Sequence, residues 1–143
     1  MKIKLYNNDL PKNIKINKSV AIDTETMGLN PLRDRLCLVQ LSSGNDVCHL
    51  IKIKSQSSIP KNLVSILKNN KILKIFHFAR FDVAVLKHNF KIDISNIYCT
   101  KIASKLARTF TDKHGYKDLC KEFLNVQISK IEQTSDWGKE KLT

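Results

Sequence analysis

Ser19-Val20-Ala21-Ile22-Asp23-Thr24-Glu25 runs a β-branched apolar segment straight into two carboxylates set two residues apart. Such a run is expected to form a buried strand over Ser19–Asp23. On an extended chain residues i and i+2 point to one side, so Asp23 and Glu25 are expected to face one spot. Two carboxylates that close repel each other, and one tends to keep a proton. A divalent cation removes that conflict, and Mg²⁺ in particular takes one or two carboxylates together with substrate phosphate oxygens. On spacing alone, two acids that merely end a strand in solvent are the commoner case.

On the N-terminal side lie 18 polar, lysine-rich residues with a short alternating piece at Lys2–Leu5. On the other side, Met27–Asp34 carries the turn signals Gly28, Asn30 and Pro31. Leu36–Leu41 and Asp46–Ile51 are expected to be strands joined as a hairpin through Ser43-Gly44-Asn45. The spacing of Leu63, Ile66 and Leu67 predicts a helix over Pro60–Asn69, with the proline in the first turn. Ile72–Phe78 is expected to be a strand and Phe81–His88 a helix, with further helices over Lys101–Ala107 and Tyr116–Leu124. Strands first, then strand alternating with helix, predict an α/β or α+β sandwich on a mixed sheet.

Asp82 is the third acid of interest. It falls at the start of a predicted helix, just past the Ile72–Phe78 strand. If that strand neighbours Ser19–Asp23, Asp82 reaches the same rim as Asp23 and Glu25, where ligand sites of such sheets gather. The ordinary alternative is a first-turn acid that favours the helix dipole.

The chain is 143 residues long, which predicts one domain over residues 1–143. It carries 25 Lys and Arg against 13 Asp and Glu, a formal charge of +12. That excess favours a polyanionic partner. Only Arg33, Arg35, Arg80 and Arg108 are arginines, and a chain rich in Lys, Ile and Asn also follows from AT-rich coding, so charge alone does not decide the matter. Its longest stretch without a charge, Leu36–Asn45, is far short of a membrane helix. The N-terminal lysines precede no apolar core, which argues against a secretion signal and for a cytoplasmic protein. Cys37, Cys48 and Cys120 sit inside apolar patterns and are expected to be buried thiols in a reducing compartment. Zinc ligation through Cys48 and His49 lacks the usual paired spacing.

Five segments in order, residues 20–41, 74–86, 97–104, 114–124 and 133–138, together resemble ribonuclease D. They read VAIDTETMGLNPLRDRLCLVQL, KIFHFARFDVAVL, IYCTKIAS, HGYKDLCKEFL and QTSDWG. That enzyme belongs to the superfamily of 3′→5′ exonucleases with four metal-binding acids. The resemblance implies a ribonuclease H-like fold, a mixed central β-sheet flanked by helices. It implies hydrolysis of RNA, or another single-stranded nucleic acid, from a free 3′ end to nucleoside 5′-monophosphates. It also implies two Mg²⁺ or Mn²⁺ ions, Asp23 bridging both, Glu25 holding one and Asp82 supporting the other, partly through water.

Thr24 then matches a contact to the terminal sugar, and Leu29 an apolar wedge against the terminal base. Gln40, His77 and Phe81 match positions lining the cleft, while Ser135 and Trp137 belong to a segment near substrate. Each has a plain packing alternative: Leu29 and Phe81 as core, His77 as a satisfied strand histidine, Trp137 as a cap on the core. Cys99 stands where relatives often carry an aspartate that is no metal ligand. Relatives continue past Thr143 into a helix bearing a tyrosine and the fourth acid. The resemblance therefore implies a domain incomplete at its C-terminus, with that helix missing, and the alternative of an inactive remnant that binds nucleic acid through its lysines.

Overall fold

The computed structural model describes residues 1–54, 58–129 and 136–139. In chain order these form β1 (Lys2–Asn7), β2 (Ser19–Thr26), β3 (Leu36–Ser42), β4 (Val47–Lys52), α1 (Lys61–Lys68), β5 (Leu73–Phe76), α2 (Ala79–Phe90), β6 (Ile97–Cys99), α3 (Thr100–Ala107) and α4 (Tyr116–Leu124). Six strands make one sheet in the order β1-β4-β3-β2-β5-β6. β3 runs antiparallel to both of its neighbours, β2 and β4, as hairpin connections require. β5 lies parallel to β2, and β6 parallel to β5, each reached through a helix. The mixed sheet and its flanking helices are the predicted α/β architecture.

Burial follows from position in that order. β3 is central, and Leu36 to Val39 are buried in succession, the signature of a strand covered on both faces. In β2 burial alternates: Val20, Ile22 and Thr24 face the packed side, while Asp23 turns to the open side. Val20, Ile22, Leu41 and Ile51 from the sheet pack with Leu63 and Leu67 of α1 and with Val85, Leu86 and Phe90 of α2. Lys74 is wholly covered in this core. Its Nζ reaches the Asn69 carbonyl at 2.6 Å, which sets a cation against the C-terminal end of α1.

Several boundaries differ from the sequence expectation, each for a local reason. β4 begins at Val47 because Asp46 has φ 63°, a turn conformation shared with Gly44 at φ 77°. β5 stops at Phe76 and α2 starts at Ala79, because Phe78 adopts the left-handed conformation and ends the extended run. β6 is a three-residue strand with no pattern to announce it. β1 forms one edge, parallel to β4, and there Tyr6 Oη lies 3.1 Å from Nδ1 of the buried His49. Cys37 and Cys120 are buried as expected, but Cys48, near that edge, is only half-buried, and all four thiols are free. No helix among the described residues is long and apolar enough to cross a membrane.

Candidate active site

Parallel pairing of β2 with β5 brings the C-terminal ends of both strands to one rim. Asp23 and Glu25 close β2 there, and α2 starts two residues after β5. Asp82, in the first turn of α2 and 3% exposed, reaches over the end of β2. Its Oδ1 accepts hydrogen bonds from the Thr24 amide at 3.1 Å and from Thr24 Oγ1 at 2.7 Å. Thr24 lies between Asp23 and Glu25 in the chain, so this pair of bonds ties the third acid to the other two. On the open face Gln40, the β3 residue in register with Asp23, donates from Nε2 to Asp23 Oδ2 at 3.3 Å.

All three carboxyls are harder to ionise than ordinary ones. Burial raises the pKa of Asp23, against the lowering effect of the Thr24 backbone. Burial, then the charges of Asp23 and Asp82, push Glu25 up to about 7. Burial raises Asp82 to about 6, restrained by the Thr24 hydroxyl and reinforced by Asp23. Among the described residues no three His, Cys, Asp or Glu side chains close into a finished metal shell. The acids nonetheless feel one another's charge, and oxygen-only donors of this kind suit a hard divalent cation, which would remove the repulsion.

A loop between β2 and β3 rises beside these acids. It is closed by Met27 N–H to the Arg35 carbonyl at 3.0 Å, and Asp34 Oδ2 accepts from Asn30 N–H at 2.9 Å. Asp34 comes so close to Gly28 that a Cβ there would lie 2.3 Å from its carboxylate. Leu29 projects from this loop and is 88% exposed, so it is not the core residue that its apolar character allows. Phe81 is half-buried and packs against the core. His77 sits past the end of β5, with Nδ1 2.9 Å from Thr100 Oγ1 and a further hydrogen bond to the His114 backbone. Trp137 is half-buried and lines a cavity of about 360 Å³ with Arg35, Lys52 and Ile53, none of them one of the acids. Ser135 lies outside the described residues.

Tyr116 carries no sequence signal of a site residue and opens the helix expected over Tyr116–Leu124. Its ring lies 5.6 Å from that of His77, and burial, then Cys120 and Asp23, raise its phenol. His77 and Tyr116 also border a largely apolar cavity of about 470 Å³ between α3 and α4. Arg108 lies on its far side, half-wrapped by Phe110 and Phe123 and bonded to Ser104 Oγ, the Lys113 carbonyl and Glu122.

The profile of the 3′-5′ exonuclease family matches residues 6–143, nearly the whole chain. The chain belongs to the 3′-5′ exonuclease family. Among relatives of this family, ribonuclease D of Bartonella henselae is 32% identical over 119 residues, which cover 83% of this chain and 29% of that protein. Brucella melitensis NrnC with bound Mg²⁺ superposes with a TM-score of 0.93 at 51% identity, covering all of this chain and 70% of that one. The same NrnC bound to pGG superposes at 0.94 and 52% identity over the same coverage. This exonuclease-family chain thus spans about three-tenths of the ribonuclease D length. The fold expected from the resemblance, a ribonuclease H-like mixed sheet, is the fold found.

Proposed function

We propose that this chain carries the catalytic site of a metal-dependent 3′→5′ exonuclease. Its substrates would be RNA or short single-stranded oligonucleotides with a free 3′ end, cut to nucleoside 5′-monophosphates. Short 5′-phosphorylated substrates are included because the similar NrnC binds pGG. The observation that carries the reading is the double hydrogen bond from Thr24 to Asp82, which collects three carboxylates from two separate stretches at one rim.

Asp23, Glu25 and Asp82 would hold Mg²⁺ or Mn²⁺, two ions in all. Bound there, a divalent ion supplies Lewis-acid chemistry, lowering the pKa of a bound water and neutralising charge on the departing oxygen. The protein's own part is positioning. Thr24 fixes the carboxylate of Asp82 and Gln40 steadies that of Asp23. Glu25, with a pKa of about 7 in the metal-free site, stands ready to release its proton near neutrality. Leu29 lies free to wedge against the terminal base, and His77, Phe81 and Tyr116 wall the other side. In the reaction a water oxygen forms a bond to phosphorus, the bond from phosphorus to the 3′ oxygen breaks, and that oxygen leaves with a proton. The net charge of +12 draws the polyanion in.

The test is digestion of a 3′-labelled single strand with and without Mg²⁺, in the wild type and in Asp23→Ala. Mg²⁺-dependent release of mononucleotides that vanishes in the variant is the expected result. Salt-sensitive binding without any release would instead select an inactive nucleic-acid-binding remnant.

A further inference from the structure

Six non-glycine residues among those described have positive φ. Asn8, Asp46, Asn96 and Asn125 are of the types that tolerate this region, and Lys91 caps the C-terminus of α2. Phe78 is different. A bulky aromatic at φ 64° and ψ 53° is a conformational outlier, and such strain persists only where its surroundings enforce it. The ring is not held there by burial, since Phe78 is 48% exposed. It sits one helical turn before Asp82, about 6 Å along the axis of α2. The Lys101 ammonium lies over the ring at 4.4 Å from its centroid, and the same ammonium acts electrostatically on His77. The His77 ring lies 5.6 Å from that of Tyr116, so Phe78 and Lys101 adjoin this pair at the end of α2 that carries Asp82.

We propose that Phe78 and Lys101 form the subsite for the nucleotide on the 5′ side of the scissile bond, the Phe78 ring stacking on its base and Lys101 meeting its phosphate. This deepens the exonuclease reading and rests on it. An exposed aromatic with an ammonium at its face offers both parts of a nucleotide what they need: a π-face for any base, and a cation for the anion beside it. The subsite is therefore indifferent to base identity and sensitive to whether a base is present.

The experiment compares wild type, Phe78→Gly, Phe78→Tyr and Lys101→Ala on two single strands, one ordinary and one lacking the base of the second residue from the 3′ end. Glycine accepts φ 64° without strain, so Phe78→Gly should fold with a melting temperature no lower than wild type. It should still raise KM for the ordinary strand about tenfold while leaving KM for the base-free strand unchanged. Phe78→Tyr should restore the wild-type ratio, and Lys101→Ala should raise KM on both strands. The same affinities are measured by fluorescence anisotropy in an Asp23→Asn background, where no hydrolysis is needed. A base-dependent affinity there without wild-type hydrolysis would sink the exonuclease reading and keep the subsite. Equal affinity of the Phe78→Gly and Phe78 proteins for the ordinary strand would overturn the subsite, whatever the hydrolysis.

Discussion

Asp82 Oδ1 takes two hydrogen bonds from one residue, the backbone N–H and the hydroxyl of Thr24, across 58 positions of sequence. The acid that arrives on a helix is thereby locked to the strand that carries the other two. A threonine on the packed side of β2 therefore orients an acid of the site. The Thr24 hydroxyl donates to Asp82, which gives the side chain a positioning role within the site.

Thr24→Val keeps the shape and removes the hydroxyl. The expected cost is about 1–3 kcal/mol of stability, because a buried carboxylate loses a charge-assisted bond. That bond holds the Asp82 pKa down, so without metal its loss raises the pKa further and carries the Asp82 titration to higher pH. Thr24→Ser should restore both, as urea titration in EDTA at several pH values will show.

With chelator present, Glu25 at about 7 and Asp82 at about 6 lie above their unfolded values of 4.5 and 3.8. Between about pH 4 and 7 the folded chain then holds protons that the unfolded chain has released, so this contribution to stability falls as pH rises. It is fully present below pH 4 and gone above pH 7. Melting temperatures in EDTA should decline over that window more in wild type than in Glu25→Gln. Mg²⁺ should raise the melting temperature more at pH 7.5 than at pH 5. Identical slopes for the two proteins would count against the shared carboxylate site.

Leu29→Ala separates a wedge from a core residue. At 88% exposure its removal should change stability by less than about 0.5 kcal/mol. If the side chain packs on the terminal base, kcat/KM should fall about tenfold, the value of burying such a side chain against a partner.

Arg108 serves the scaffold. It is buried and joins α3, the following loop and α4 through Ser104, Lys113 and Glu122, with Ser104 in turn 2.7 Å from His114 Nδ1. Arg108→Met should cost about 3 kcal/mol in urea unfolding, since it leaves polar partners without their cation. Because the His114 backbone holds His77 and Tyr116 opens α4, a loosening of His77 in NMR relaxation should accompany the loss.

The sheet was legible where the pattern was dense. Val20, Ile22 and the run Leu36–Leu41 announce central strands, and the acids at 23, 25 and 82 follow once β5 pairs with β2. β6 was not legible, because three residues carry no period. Neither was the early start of α2, since nothing in a sequence signals that Phe78 will turn left-handed. The Thr24–Asp82 bond depends on side chains meeting across the fold, which spacing does not encode. The burial of Lys74 was not legible either: its stem is enclosed and its charge sits on the end of α1. Tyr116 carries no mark in the sequence that separates a wall residue from a helix start.

Pairing between β2 and β3 slips by one residue just after Glu25: Glu25 faces Leu38 while Thr26 faces Leu36, leaving Cys37 as the extra residue. The Cys37 carbonyl is taken instead by the Ile53 amide at 2.8 Å, so the slip does not orphan that oxygen. This irregularity works as an expansion joint. Residues added to or lost from the segment between Met27 and Arg35 can be absorbed there without turning Asp23 and Glu25 to the wrong side. The tip that bears Leu29 can then change in length and shape while the acids at the end of β2 keep their alignment.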